Sequence, residues 1–444
     1  MSVPRGVDQL LVRRLQVQLG ERRQHSIEQR RRLGQPQLDG EDARQHGKAL
    51  VQQVVTGYES GLAESGDQPL VWEARQDLVD AMEARLFGAG SLQQLLEDPE
   101  VEDISINGYR NVFVEYADGA KVKVPPVCSS DEDLIETVQS LGAHEGLSSR
   151  PFDVANPRVN VRLADGSRLY AVQAVTPFPC VSIRKHRFMT LTLKDLVALE
   201  TLDEELVGFL SAVVVARKNV MIAGATSAGK STLLRALAAQ IDPQERLVTV
   251  ERSLELGLHE DTDAHADVVA MEERLPNAEG AGAVTMAQLV QASLRMNPSR
   301  VIVGEVLGDE VVTMLNAMTQ GNDGSLSTIH ANSATDVVEK VATYAIQAPE
   351  RLPWEASLRL FANAIDFVVF IRRVRTESGQ VRVVEEVLET ARVEDGMFKS
   401  NQLWGRDPDG VVRRRRAVQP ACTDDLVEAG WHPVPGHAPP RGWA

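Results

Sequence analysis

The sequence predicts an α/β protein: a domain on a largely parallel sheet, preceded by a mixed α/β domain and a helical, basic N-terminal extension. Three observations predict it. Short apolar runs alternate with helical patterns from residue 218 to 375, as strands covered on both faces by helices do. A glycine-rich loop joins the first of those runs to a helix at residues 220–241. Between residues 101 and 172 the hydrophobic period shortens to two, the spacing of half-buried strands.

The extension, residues 1–35, places Leu11, Leu15 and Leu19 on one helical face among eight arginines and three acids. Its charge is +5 against −16 for the whole chain, which leaves −21 on the body. A basic helix with an apolar stripe lies on a membrane, docks on a partner helix or packs on its own chain. Gly34–Gly40 breaks the pattern as a linker. Residues 36–95 are helical, with apolar residues at helical spacing from Leu70 to Leu86 and a stop at Gly88-Ala-Gly90.

A mixed α/β domain follows at residues 96–200. Ile104-Ser-Ile106 and Asn111–Tyr116 read as strands, with a turn at Asp118-Gly119. Val159–Leu163 meets Arg168–Val172 across Ala164-Asp-Gly-Ser167, a hairpin signal. Residues 201–375 carry the buried runs Val220–Ala223, Leu247–Val250, Val301–Val303 and Phe367–Ile371. The last segment, 376–444, has weak strands, four arginines at 413–416 and a tail with Pro433, Pro435, Pro439 and Pro440 that is expected to fray.

Composition narrows the function classes. With 444 residues, 43% hydrophobic and 25% charged, the chain is globular and long enough for several domains. The acidic balance argues against nucleic-acid binding by the bulk surface. No apolar run approaches the roughly 18 residues of a membrane span, and Leu10-Leu11-Val12 is ended by Arg13-Arg14 before a signal-peptide core can form. A cytoplasmic location is expected. Cys128, Cys180 and Cys422 are odd in number and far apart, without a Cys-x-x-Cys pair, so reduced structural thiols are expected rather than disulfides or a zinc site.

Gly224-Ala225-Thr226-Ser227-Ala228-Gly229-Lys230-Ser231 fits G-x-x-x-x-G-K-[ST] at every fixed position. An apolar strand precedes it, and Thr232 opens a helical pattern running to Ile241. That strand–loop–helix context is what the motif needs. Glycines let successive amides turn inward on phosphate oxygens, and the helix N-terminus adds partial positive charge. Lys230 suits the β- and γ-phosphates and the Ser231 hydroxyl suits Mg2+. The loop implies a nucleoside triphosphate.

Hydrolysis requires a carboxylate beside the metal and a group that polarises water. Glu251 and Glu305 each end an apolar run, at the edge where parallel strands meet a phosphate loop. His330 stands in Gly324–Asn332, a polar turn entering a short strand, where a histidine is either a hydrogen-bonded structural residue or a catalyst.

These motifs, in their order, resemble the type II/type IV secretion superfamily of bacterial secretion and pilus-assembly ATPases, most nearly the CpaF-like ATPases of tight-adherence (Tad) pili. The resemblance covers residues 85–375. Ile104–Gly108, Asp165–Arg168 and Ser182–Lys185 are similar to the N-terminal-domain pattern. The phosphate loop, the acidic box Thr249–Leu256, Val303-Gly-Glu-Val306 and the histidine box Gly324–Asn332 follow in family order. The resemblance implies a RecA-like P-loop ATPase domain. It assigns Glu251 to positioning water, Glu305 to the second nucleotide motif and the metal, and His330 to sensing the γ-phosphate. Arg168 and Arg184, with Arg162 as a weaker third, match arginines that fold over the nucleotide in relatives.

Four positions depart from the pattern: Arg252 for an Asp, Leu307 for an Arg, Asn322 for a His and Ser299 for an Asp. They imply that nucleotide binding is retained and that turnover is slow. The resemblance further implies ATP with Mg2+, a homo-hexamer, and recruitment to the inner face of the cell membrane by a platform protein of a pilus or secretion apparatus. No stable nucleic-acid binding is expected. A motor ATPase is the leading reading; a nucleotide-gated scaffold and a DNA-translocating ATPase are the alternatives, the last resting on the arginine clusters at 13–32 and 413–416.

Overall fold

The computed structural model describes residues 9–32, 40–87, 92–144, 152–163, 165–185, 191–274, 276, 280–376 and 379–433. Residues 1–187 form one unit and 188–444 another. The Gly88-Ala-Gly90 stop, all but Gly40 of the Gly34–Gly40 linker, and the tail from residue 434 lie outside the described residues.

Unit one begins with α1 (Gln9–Arg32), α2 (Gly40–Ser65) and α3 (Trp72–Phe87), then α4 (Gln93–Glu97). The leucine stripe of α1 faces its own chain. Val12, Leu15 and Leu19 are buried with Val51, Val54 and Val55 of α2 and Leu78, Val79 and Met82 of α3. Of the three uses open to the stripe, the fold takes the intramolecular one.

The rest of the unit is β1 (Val101–Asn107), β2 (Val112–Tyr116), β3 (Lys121–Val124), α5 (Asp131–His144), β4 (Arg158–Arg162), β5 (Arg168–Val172) and β6 (Cys180–Arg184). The sheet is antiparallel, in the order β3-β2-β1-β6-β5-β4. The expected hairpin is present, with Val161 opposite Leu169 and Gly166 at φ 82°. Side chains alternate between faces along each strand. One row, Val161, Leu169, Ile183, Ile104 and Val114, is buried. The next row sets Arg162, Arg168, Arg184, Asp103 and Glu115 side by side on the opposite face.

Unit two opens with α6 (Leu193–Ala198) and α7 (Glu204–Val215), and its helices continue as α8 (Lys230–Ala238), α9 (Met286–Ser293), α10 (Glu310–Met318), α11 (Asp336–Gln347), α12 (Trp354–Ala364) and α13 (Thr423–Glu428). Its strands are β7 (Val220–Ala223), β8 (Leu247–Glu251), β9 (Val268–Glu272), β10 (Arg300–Val306), β11 (Leu326–Ile329), β12 (Phe367–Thr376), β13 (Gly379–Glu394), β14 (Met397–Arg406) and β15 (Val412–Arg414). They form one sheet in the order β15-β14-β13-β12-β7-β11-β10-β8-β9. From β9 to β12 every pairing is parallel, and β13 to β15 extend the edge antiparallel. One face packs Leu206, Phe209, Leu233 and Trp404, and the other Val290, Met314, Val341 and Phe361.

Two domain boundaries move. Leu193 and Leu196 are buried with Leu206 and Phe209, so residues 191–200 belong to the second unit and not to the mixed domain expected at 96–200. Residues 379–414 continue the same sheet instead of forming a separate C-terminal segment. The arginine run at 413–416 is engaged within the chain: Arg413 and Arg415 meet Asp407, Arg413 also meets Asp409, and Arg414 and Arg416 meet Glu205.

Candidate functional site

Strand β7 is buried throughout and delivers the loop to the end of the sheet. A Cβ at Gly224 would lie 2.3 Å from the Ile371 carbonyl oxygen of β12, so only glycine lets the two chains pass. Ser227 and Gly229 both have left-handed backbone, with φ of 59° and 98°. Gly229 then enters α8, whose first residue is Lys230. Left-handed residues next to a helix start aim successive amides into one hollow, an arrangement that favours anions. Ser231 and Thr232 are half-buried on the first turn.

Lys230 is only 7% exposed, and its Nζ lies 3.1 Å from the Ala225 carbonyl, 3.2 Å from His330 Nδ1 and 3.7 Å from Glu305 Oε1. His330 Nε2 lies 2.8 Å from the same Glu305 oxygen. Adjacent parallel strands β10 and β11 bring this about, because both end on the edge that carries the loop. Lys230 has only donors to offer, so the neutral ring that satisfies both contacts accepts from Lys230 at Nδ1 and donates Nε2–H to Glu305. Burial, and then the Lys230 charge, hold the His330 imidazole below its ordinary pKa, so it is neutral at neutral pH. A cleft of about 460 Å³ beside the cluster is lined by Ala225, Thr226, His330, Asn332, Asp336 and Lys340, among others.

Glu251 ends β8, one strand over, and is 3% exposed. Its Oε2 accepts from the Glu255 and Leu256 amides at 2.7 and 2.8 Å, and its Oε1 accepts from the Thr249 hydroxyl at 3.1 Å. Burial nevertheless pushes its pKa up to about 7. Gly304 lies against it, since a Cβ there would meet Glu251 Cγ at 2.9 Å. The structure thus brings Lys230, Glu305 and His330 into one cluster and turns the Glu251 carboxylate toward its own loop. Arg168 and Arg184 belong to unit one, directly opposite each other on β5 and β6.

The four departures have structural partners of their own. Arg252 lies 3.9 Å from Glu273, which offsets its charge. The Asn322 amide donates to the Ala317 carbonyl near the end of α10, and Ser299 Oγ accepts from the Arg246 amide. Leu307 donates its amide to buried Glu310. One loop contact escaped sequence reasoning: Arg382 Nε donates to the Ser227 carbonyl at 3.3 Å. No local pattern marks it, because only the β12–β13 pairing carries that arginine to the loop.

The donor chemistry fits a small hard cation. Among the described residues no cluster of three or more His, Cys, Asp or Glu side chains could hold a metal. Mg2+ characteristically takes one or two protein oxygens and completes its shell with phosphate and water, and the Ser231 hydroxyl and the partly exposed Glu305 carboxylate are donors of that kind.

Residues 88–406 match the family model described as type II/IV secretion system protein. A putative conjugal transfer protein of Mycobacterium tuberculosis is 32% identical over 336 residues, covering 73% of this chain and 91% of that protein. Protein VirB11 of Agrobacterium fabrum is 31% identical over 308 residues, covering 62% and 86%. Among solved structures, the VirB11 ATPase of the Brucella suis type IV secretion system in complex with sulphate is 25% identical, with a TM-score of 0.37, covering 67% of this chain and 92% of that one.

Proposed function

The chain belongs to the type II/IV secretion system protein family, and on that premise we propose that it is a P-loop ATPase that drives pilus assembly or protein secretion. The observation that carries this reading is Lys230 at the start of α8, held between Glu305 and His330 at the mouth of a loop shaped for phosphate.

In this reading the loop amides from Gly224 to Thr232 bind the β- and γ-phosphates, and Lys230 exchanges its internal partners for phosphate oxygens. Ser231 and Glu305 would hold Mg2+, which when bound would supply charge neutralisation at the transferred phosphoryl group. His330 reports the terminal phosphate through its bonds to Lys230 and Glu305. Glu251, with a pKa near the working pH, is the general base for water. For Arg168 and Arg184 the support is motif order and a register that sets them beside Arg162 in one row of their sheet.

Motif order also supports the finer placement among CpaF-like Tad pilus ATPases. A homo-hexamer in the cytoplasm, recruited by a membrane platform protein, belongs to the same reading. No described helix is long and apolar enough to cross a membrane. Arg252 favours the second reading, a nucleotide-gated scaffold with weak hydrolysis, because it replaces an acid beside Glu251. The DNA-translocating reading loses one of its two supports, since Arg413–Arg416 are satisfied by Asp407, Asp409 and Glu205.

The test is steady-state phosphate release from Mg-ATP, with particle size measured with and without nucleotide. Turnover that Lys230→Ala abolishes supports the motor. ATP binding without measurable turnover selects the scaffold, and absence of ATP binding sinks both.

A further inference from the structure

Strand β7 has different neighbours on its two sides. On one side β11 and β10 supply His330 and Glu305, and on the other lies β12, continued by β13. β12 pairs with β7 from Phe367 to Phe370, and its remaining residues, Ile371–Thr376, run on beyond the end of β7 with β13 as partner. This two-stranded overhang passes beside the phosphate loop. Ile371 Cδ1 would lie 3.4 Å from a Cβ at Gly229, and Arg382 Cδ 3.1 Å from the same point. Arg382 Nε donates to the Ser227 carbonyl, on the loop residue with φ 59°.

Arg382 does not stand alone. The register places Arg373 directly opposite it, next to the pair Ile371–Val384, so both arginines share the face that Ile371 turns to the loop. Like charges directly opposite across an antiparallel pair are destabilising. Two guanidinium groups so placed at the rim of an anion-binding loop suit a shared anion. Relative to Glu305 and His330, the β12–β13 side is the far side of the loop.

We propose that Arg373 and Arg382 form a second cationic contact for the nucleotide, on the α-phosphate side of the loop and across it from Lys230. This rests on the nucleotide-binding reading above. Arg382 would have a dual part, because its Nε steadies the left-handed Ser227 and a planar five-donor group can meet an anion through other N–H groups at the same time.

The experiment measures ATP and ADP affinity by calorimetry for the full chain and for Arg373→Ala, Arg382→Ala and Arg382→Lys, with thermal melts of each without nucleotide. Both nucleotides carry the α-phosphate, so the alanine variants are expected to bind each at least fivefold more weakly and to keep the ATP-to-ADP ratio within twofold. Arg382→Lys is expected to fall between Arg382→Ala and the native chain. Unchanged affinity in Arg373→Ala overturns the paired contact, even if Arg382→Ala weakens binding by loosening the loop. A shifted ATP-to-ADP ratio also overturns it, since that places the arginines at the terminal phosphate. If the native chain binds neither nucleotide, the failure lies with the nucleotide reading, and the inference falls with it.

Discussion

Glu305 Oε1 lies 2.8 Å from His330 Nε2, and Lys230 Nζ lies 3.2 Å from the other ring nitrogen of the same histidine. The imidazole is therefore a bridge between the lysine proposed to serve phosphate and the carboxylate proposed to serve the metal. Anything that draws Lys230 away changes the field at His330, and through it the geometry of Glu305.

Removing the lysine tests that bridge. Burial is the largest cause of the lowered His330 pKa and the Lys230 charge the next, while Glu305 opposes both. Lys230→Ala should therefore move the His330 pKa upward. The ring proton resonance, assigned by its loss in His330→Gln, reports this in a pH titration by NMR. An unchanged or lower pKa in Lys230→Ala would mean that the two side chains do not interact in solution. The same variant should lose about 10- to 100-fold in ATP affinity, the scale of a charge-assisted hydrogen bond in a partly buried site.

Glu305→Gln keeps an acceptor for His330 Nε2–H but removes the charge. Hydrolysis should fall about 100-fold or more while ATP still binds, because a group acting on the reacting centre is worth that much in rate and less in ground-state affinity. Single-turnover phosphate release beside equilibrium binding separates the two. Equal losses in both would make Glu305 a binding residue only.

Gly224 and Gly208 offer a paired test of local space. A Cβ at Gly224 would stand 2.3 Å from a backbone oxygen of β12, whereas one at Gly208, inside α7, meets nothing within 4 Å. Gly224→Ala should destabilise by about 1–3 kcal/mol, as overpacking does, and should weaken ATP binding because β12 must shift away from the loop. Gly208→Ala should stabilise by about 0.5–1 kcal/mol through helix propensity. Thermal melts of the two variants should move in opposite directions.

The phosphate loop was legible because its chemistry is local, with strand, glycines, lysine and helix lying within a score of residues. The Lys230–Glu305–His330 cluster was legible only in part. Pattern alone placed Glu305 at a strand end, but its union with His330 depends on β10 and β11 being neighbours, which spacing does not encode. The stripe of α1 was visible and its partner was not, because Val51, Val54 and Met82 carry no mark of which helix they will meet. Arg414 and Arg416 looked like part of a basic patch because Glu205, their partner on α7, lies some two hundred residues earlier.

That packing of α1 is itself testable. Leu15 is 1% exposed between α2 and α3, so Leu15→Ala should cost unit one about 2–5 kcal/mol, the range for emptying a buried leucine site. An arm that presented its stripe to a membrane or partner would show no such loss. Limited proteolysis of residues 9–87 and the lower melting transition both report it.

Glu251 gives the prediction with the most definite sign. Burial raises its pKa from 4.5 to about 7, although two amides and a hydroxyl favour the charged form. The folded state thus holds a proton that the unfolded chain releases first, so ionising Glu251 opposes folding. No penalty exists below pH 4.5. It grows as pH rises from 4.5 to 7 and is complete above, at about 3 kcal/mol from 1.36 kcal/mol per unit. Glu251→Gln can keep all three bonds, with its oxygen accepting from the Glu255 and Leu256 amides and its NH₂ donating to Thr249. The variant should match the native chain near pH 4.5 and exceed it in stability near pH 8. Turnover should show the opposite face of the same pKa. In the native chain it should climb through pH 7 to a plateau as the base ionises, and Glu251→Gln should lose about 100- to 10,000-fold. A flat profile with undiminished turnover in the variant would remove Glu251 from the chemistry and leave it as the internal brace of the loop between β8 and β9.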